Sequence, residues 1–329
     1  MGTDSLAATV IVTVRNESGS IDALLDSLLR GSRPPEEIVI ADGGSTDDTV
    51  VRLRARAGSE PRLRVLETPG NRSVGRNAAI RAARHEIIAC TDAGVEVEPT
   101  WLEEIVKPFG LGPGGGGAAA NESGSAPERI DVVAGFYRPI ASTPFERAAG
   151  VVSAPQLSEV DLDRFLPSTR SIAFRREAWD KAGGFDESLA HNEDTPFALE
   201  LKNAGCRFAF APRAIVGWRP RGDFRSFYRQ HRRFGLGDGE SRVQAWFYGT
   251  IAAKYALAVI LAIVGFVFPA AWVVLAFGTA LFIAQQARRG FGRIGAMEAL
   301  VGVPLLKIVY DVAYLNGYIR GRLGPAASR

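Results

Sequence analysis

Carboxylates stand in three settings of this sequence where they could do chemistry. Ala41-Asp42-Gly43-Gly44-Ser45-Thr46-Asp47 and Thr91-Asp92-Ala93-Gly94 each follow a short apolar run, Glu37–Ile40 and Glu86–Cys90, that reads as a buried strand. A carboxylate at the carboxyl end of a strand points into the crevice where open α/β sheets take their ligands. There Asp42 could accept hydrogen bonds from a base N–H or a ribose hydroxyl, and Asp92 could meet a ribose or a metal ion. A turn or helix start that caps itself explains the same acids without any ligand. The third setting is Glu193-Asp194, opening a helix after Gly184-Phe185-Asp186-Glu187. A helix start stabilises acids by its dipole, and a carboxylate held within reach of a hydroxyl can also take its proton.

Two basic settings accompany them. Asn71, Ser73, Gly75, Arg76 and Asn77 surround a helix start, where the backbone favours anions and Arg76 could add a charged contact to phosphate. An ordinary capped helix with surface arginines fits equally. Gln230, Arg233 and Phe234 lie in an amphipathic stretch. Arg233 could stabilise a departing diphosphate and the aromatics could flank a sugar or lipid. The alternative is a basic face resting on lipid headgroups.

The elements that must position these residues alternate. Thr9–Val14 is a continuous apolar, β-branched strand, followed by a helix carrying Ile21, Leu24, Leu25, Leu28 and Leu29 that Ser18 caps and Gly31 ends. Strands follow at Glu37–Ile40, Leu63–Leu66 and Glu86–Cys90, with helices from Asp47 to Ala57 and from Ser73 to Ala83 between them. This βαβαβαβ order predicts parallel strands with helices on both faces. After a helix at Thr100–Val106, Gly110–Pro127 reads as a mobile loop, Ile130–Phe136 as strand, and Arg138–Pro167 as an aperiodic wall beside the site. Ser171–Phe174, Arg207–Phe210 and Ala214–Trp218 read as further strands, and Glu177–Ala182 and Glu193–Ala204 as helices.

With 329 residues, 47% of them hydrophobic, the chain can hold a sizeable domain and an appendage. A net charge of +3 gives no support to nucleic-acid binding. Arg219, Arg221, Arg225, Arg229, Arg232 and Arg233 instead cluster before an uncharged run, Tyr255–Ala287. Phe224, Phe227, Tyr228 and His231 share one face of the Asp223–Phe234 helix, which reads as interfacial. As one helix the uncharged run would measure about 50 Å, against a bilayer core of about 30 Å. A hairpin of Trp246–Val264 and Pro269–Ala287 is therefore expected, both basic flanks cytoplasmic, with Lys254 snorkelling or facing protein. A third segment, Met297–Tyr318, lies in the interface or packs on the hairpin. Cys90 and Cys206, both read in strands, are expected as free thiols in a reducing compartment, and the N-terminus does not read as a signal peptide.

Taken in order, Val14-Arg15-Asn16-Glu17, Asp-Gly-Gly-Ser-Thr-Asp, Asn71…Gly75-Arg76-Asn77, Thr-Asp-Ala-Gly, Gly-Gly-Phe-Asp…Glu-Asp and Gln-x-x-Arg-Phe resemble the family 2 glycosyltransferases, over about Ala8 to Asp238. Tyr228–Asp238 with the apolar segments after it resembles the membrane-attached branch that builds bacterial cell-surface polysaccharides and glycolipids. The resemblance implies a GT-A (Rossmann-like) α/β fold: a mixed, mainly parallel sheet flanked by helices, with a C-terminal helical membrane region. The implied division is a glycosyltransferase domain at 1–222, an amphipathic helix and linker at 223–245, and a membrane-associated region at 246–329.

The implied reaction is inverting transfer of a sugar from a nucleoside-diphosphate donor, commonly UDP-linked, to a lipid-linked or glycan acceptor hydroxyl. It assigns Asp194, with Glu193 beside it, to catalysis, and Asn16, Glu17, Asp42, Asn71, Arg76, Asp92, Gln230 and Arg233 to the nucleotide-sugar. Asp92 is also the implied metal position. Gly94 and Trp218 replace the usual second Asp and the His found in many members, which argues against full dependence on Mn²⁺ or Mg²⁺, and Arg76 and Arg233 would then partly replace the cation. Membrane lipids and a second copy of the chain are the further expected partners, and the cytoplasmic face of the inner membrane the expected location. A non-catalytic sugar-nucleotide sensor or scaffold is the alternative that the same two departures motivate.

Overall fold

The computed structural model describes residues 6–110, 129–161 and 165–324. The Gly-rich run expected as a loop falls almost wholly outside them. In chain order the elements are β1 (Ala8–Val14), α1 (Ile21–Leu29), β2 (Glu37–Asp42), α2 (Thr49–Ser59), β3 (Leu63–Glu67), α3 (Arg72–Ala82), β4 (Ile87–Asp92), β5 (Val95–Val97), α4 (Trp101–Val106), β6 (Val132–Pro139) and α5 (Pro144–Ser153). There follow β7 (Ile172–Arg175), α6 (Arg176–Lys181), α7 (Asp194–Asn203), β8 (Phe208–Trp218), α8 (Phe224–Glu240), α9 (Ala245–Val264), α10 (Ala270–Gly290) and α11 (Val303–Leu323). The chain forms two compact units: the residues up to Arg138 with Gln156–Trp218, and Pro139–Pro155 with the residues from Arg219 onward.

The first unit is built on one eight-stranded sheet, ordered β3-β2-β1-β4-β7-β6-β8-β5. The β2–β3, β1–β2 and β1–β4 pairs are parallel, as the helical crossovers demand. The β4–β7, β6–β7 and β5–β8 pairs are antiparallel, which makes the sheet mixed. Alternate residues of β1 feed opposite faces: Val10, Val12 and Val14 pack with α1, α4 and Leu53, while Ile11 packs with α3, α6 and α7. Both faces are thus covered, which is why β1 and β2 read as continuous apolar runs. Register decides where the acids fall: Asp42 pairs with Val14 and Asp92 with Thr13, so both flank the end of β1.

Several local expectations shift. β5 is a short strand that the sequence reading omits, and Arg207–Phe210 and Ala214–Trp218 merge into one strand, β8. Cys206 precedes β8 rather than lying in it, while Cys90 is buried in β4, its thiol pushed up to about 12 chiefly by desolvation. Ser18 does not cap α1: its N–H donates to Asp47, and Ser20 stands at the N-cap. The aperiodic stretch after Arg138 contains α5. Thr143-Pro144-Phe145-Glu146 is a capping box with proline in the first turn, a local signal for a helix start.

In the second unit α8 runs to Glu240, past the expected end at Phe234. Glycine usually weakens a helix, by about 1 kcal/mol each. Here Gly235 and Gly239 of α8 meet the backbone of α11, and Gly317 and Gly321 of α11 meet that of α8. A Cβ at any of the four would lie 2.0–2.4 Å from a carbonyl oxygen. The glycines therefore let two backbones touch, and the contact offsets their helix cost. Phe227 packs with Val151, Val303 and Leu306, and His231 is buried beside it. The face expected at an interface is thus partly covered by protein, although Phe224 stays exposed.

α9 and α10 are long and apolar enough to cross a membrane, and Gly265–Pro269 forms the turn between them. Their outward side chains include Trp246, Ile263 and Phe277, compatible with a membrane region. Lys254 faces protein: its Nζ lies 2.5 Å from Asp311, which also binds Lys307 Nζ at 2.6 Å.

Candidate active site

The site begins where β1, β2 and β4 end. Neighbouring strands are spaced about 4.8 Å apart, so the backbones of Asp42 and Asp92 are separated by roughly 10 Å across β1. Asp42 is buried and turned into its own loop. Its Oδ2 accepts the N–H groups of Gly44 and Ser45, each at 2.9 Å, and Ser45 Oγ donates to Oδ1. Gly44 at φ +90° supplies the left-handed backbone this turn needs. The loop after β1 is stitched to it: Asn16 N–H donates to Ser45 Oγ at 2.8 Å, Asn16 Oδ1 accepts from Thr46 N–H at 2.8 Å, and Glu17 N–H donates to Thr49 Oγ1 at 2.8 Å. Asn16, Glu17 and Asp42 therefore lie together, forming a rigid rim beside the end of β1.

α3 brings Arg76. Asn71 accepts from Val74 N–H at 3.1 Å and caps the helix, while its amide donates to the Glu187 carbonyl at 2.7 Å. Gly75 lies against Thr13, where a Cβ would come within 3.0 Å of its methyl group, so the first turn of α3 sits close to β1. Asn77 bonds the Phe185 backbone in both directions, at 2.8 and 3.0 Å, pinning the loop that leads to Glu193. Arg76, only 1% exposed, then reaches between two acids: one N–H group donates to Asp92 at 2.8 Å and another to Glu193. It is a buried bridge with both neighbouring carboxylates engaged, which removes the surface-arginine alternative.

Asp194 starts α7 next to Glu193. Its Oδ2 accepts from Ser168 Oγ at 3.2 Å. Thr169 Oγ1 lies 3.4 Å from Asp92. Arg170 follows, its guanidinium 5.2 Å from the ring centres of both Tyr137 and Trp218. The segment Ser168–Arg170 and Tyr137 were missed in the sequence. Nothing periodic marks them, because β7 and β6 bring them in from far along the chain.

The charges pull in opposite directions. Burial alone would raise Asp92, but Arg76 and then Arg170 hold its carboxyl below the usual range. For Asp194 burial, with the charge of Glu193 next, pushes the carboxyl up. Arg76 stays firmly charged although burial works against it, because Glu193 and Asp92 face it. One oxygen of Glu193 and the Nε of Arg76 are buried without a hydrogen-bond partner. The arrangement thus holds one acid ionised beside a second whose proton affinity is raised, two carboxyls set apart by their surroundings.

The donor set for a metal is thin. Among the described residues no group of three or more His, Cys, Asp or Glu is placed to hold a metal ion. Asp92 has one oxygen held by Arg76, and the nearby carboxylate of Glu17, 3.7 Å from where a Gly94 Cβ would stand, is bonded by Ser20. A divalent cation at a phosphate site draws on one or two protein carboxylates and completes its shell with water and substrate phosphates, and the second oxygen of Asp92 lies clear of Arg76. Gln230 and Arg233 belong to α8 in the second unit, where Gln230 accepts from Arg221 at 2.9 Å and Arg233 is exposed.

Comparison with known proteins bears on the family and the fold. The family model "Glycosyl transferase family 2" matches residues 9–116, and "Glycosyl transferase family group 2" matches residues 157–285. The chain is 25% identical over 319 residues to the succinoglycan biosynthesis protein ExoA of Rhizobium meliloti, covering 92% of this chain and 94% of that one. It is 27% identical over 237 residues to a pre-mycofactocin glycosyltransferase of Mycobacterium tuberculosis, across 69% of this chain and 46% of that longer relative. In fold it is similar to the mannosyltransferase PcManGT of Pyrobaculum calidifontis, solved with GDP-Man and Mn²⁺, with a TM-score of 0.62 at 20% identity over 94% of this chain and 86% of that one.

Proposed function

Because the chain belongs to the family 2 glycosyltransferases, enzymes that draw on a nucleotide-sugar donor, we propose that it is an inverting transferase with Asp194 as its base. The acceptor hydroxyl attacks the anomeric carbon from the face opposite the diphosphate. A new C–O bond forms as the C–O bond to phosphate breaks, and the nucleoside diphosphate leaves with that electron pair. The hydroxyl proton passes to Asp194. The rim of Asn16, Glu17 and Asp42 takes the nucleoside of a uridine-type donor, and Asp92 orients its ribose and phosphates. Arg76 and Glu193 act through their neighbours: Arg76 fixes Asp92 and Glu193, and Glu193 raises the proton affinity of Asp194.

The observation that carries this reading is the unbroken chain Asp92–Arg76–Glu193 with Asp194 adjacent, at the tip of β4. The acceptor is a hydroxyl of a lipid-linked or cell-surface glycan, as the ExoA likeness and the exposed α9–α10 hairpin support. That hairpin inserts in the inner membrane with the first unit on the cytoplasmic side. No step is assigned to a metal ion.

The test is transfer of radiolabelled sugar by membranes carrying the full chain. Asp194→Asn should lower turnover at least about a hundredfold while the folded variant still binds nucleotide. Near-normal transfer by that variant removes Asp194 from the role, and transfer with retention of anomeric configuration rejects the single-displacement reaction.

A further inference from the structure

Three carboxylates, Asp92, Glu193 and Asp194, surround a reaction whose leaving group is an anion. The charge of Arg76 is matched by two of them and lies out of contact with solvent. A cation is needed elsewhere, and Arg170 is suitably placed. It follows directly on the two residues, Ser168 and Thr169, that touch Asp194 and Asp92. Its guanidinium lies over the rings of Tyr137 and Trp218, 5.2 Å from each ring centre, and among the described residues it makes a long side-chain contact, 3.4 Å, to Ser168 Oγ while its charge acts on Asp92 and Asp194. Among the described residues no carboxylate forms an ion pair with it.

Stacking holds the plane of a guanidinium while leaving its N–H edges free, the geometry that grips phosphate oxygens in pairs. Register adds a second observation. Trp218 pairs with Val95 across β5 and β8, one residue from Gly94. The two positions lacking a metal-binding side chain are therefore neighbours, and the aromatic ring at one of them holds the guanidinium.

We infer that Arg170, clamped between Tyr137 and Trp218, binds the donor's diphosphate and steadies the leaving group, supplying by a fixed guanidinium the positive charge that a divalent cation would bring. Arg170 donates hydrogen bonds to the phosphate oxygens and keeps its protons throughout. This rests on the glycosyltransferase reading above.

The test uses the full chain in detergent micelles, with calorimetric titration of UDP and GDP in excess EDTA and then in Mn²⁺, and thermal shifts with uridine and guanosine. Wild type should bind a diphosphate in EDTA. Arg170→Gln should weaken that binding about ten- to a hundredfold, the loss expected for a bidentate charged contact, and leave the nucleoside shifts unchanged. Arg170→Lys, which keeps charge without the planar fork, should fall between, and it carries the test if the glutamine variant fails to fold. Trp218→Ala should weaken diphosphate in the same direction. Unaltered diphosphate binding by both Arg170 variants, or binding by wild type only when Mn²⁺ is present, overturns the role of Arg170 and leaves the donor reading intact. Wild type that binds neither diphosphate under either condition removes the donor reading and this inference together.

Discussion

Two three-membered ion clusters, one in each unit, are inverse in sign. In the first, one cation, Arg76, stands between Asp92 and Glu193. In the second, one anion, Asp311, stands between Lys254 and Lys307. Asp311 has both oxygens engaged, Oδ1 with Lys307 and Oδ2 with Lys254 and the Tyr255 hydroxyl. It is a closed staple between α9 and α11. The Arg76 cluster is open: Asp92 is 28% exposed, an oxygen of Glu193 has no partner, and Asp194 adjoins it. A buried ion group with every atom satisfied holds helices together, whereas one with spare acceptors is available to a substrate.

The strongest way to break this contrast is to remove each central ion. Arg76→Met should be the more damaging. It strands Glu193 and half-buried Asp92 face to face without a cation, and breaking a buried pair costs about 3–5 kcal/mol. A large drop in the thermal midpoint of the full chain is expected. A variant as stable as wild type would mean that the bridge contributes only to function.

Asp311→Asn should cost less, about 1–3 kcal/mol, the range for leaving a buried polar group poorly satisfied. Lys254 is 41% exposed along its side chain and can swing outward, and Asn still accepts one hydrogen bond. Thermal unfolding in micelles should show the loss, with sugar transfer per folded molecule little changed. Transfer lost at unchanged stability would place Asp311 among the functional residues and erase the contrast.

The same contrast explains what could be read from the sequence. The β1–β4 alternation and the acids at strand ends were legible because periodicity is local: Ile38–Ala41 and Ile87–Cys90 are apolar on both faces, and Asp42 and Asp92 stand at their tips. The role of Arg76 was not legible. An arginine in the first turn of a helix reads as a surface cation, and only Glu193, 117 positions away, makes it a bridge. Arg170 lay in a stretch without period for the same reason. The GxxxG-spaced glycines at 235/239 and 317/321 carry no local meaning of this kind, since their use depends on a partner helix about eighty residues away. Cys90 and the hairpin, which depend on composition alone, needed no such partner.

The smallest expected effect is on pH dependence, and it separates the two acids that Arg76 and Glu193 influence. Asp194 must be ionised to accept a proton. Because burial and then Glu193 raise its carboxyl, the acid limb of turnover should lie above the ordinary carboxylate range. The stability effects have opposite signs. Asp194, raised in the folded chain, contributes stability that is present below its ordinary value of 3.8 and is lost as pH rises through its elevated pKa. Asp92, depressed by Arg76 and Arg170, contributes stability present above 3.8 and lost as pH falls through its lowered pKa. Glu193→Gln removes the negative charge beside Asp194 but leaves the burial, so the acid limb should move to lower pH by about one unit or less, as a single partly screened charge would do. Turnover against pH for the two proteins, measured at saturating donor, checks this. An unmoved limb means that burial alone sets Asp194, and a limb displaced upward rejects the charge of Glu193 as a cause of its raised carboxyl.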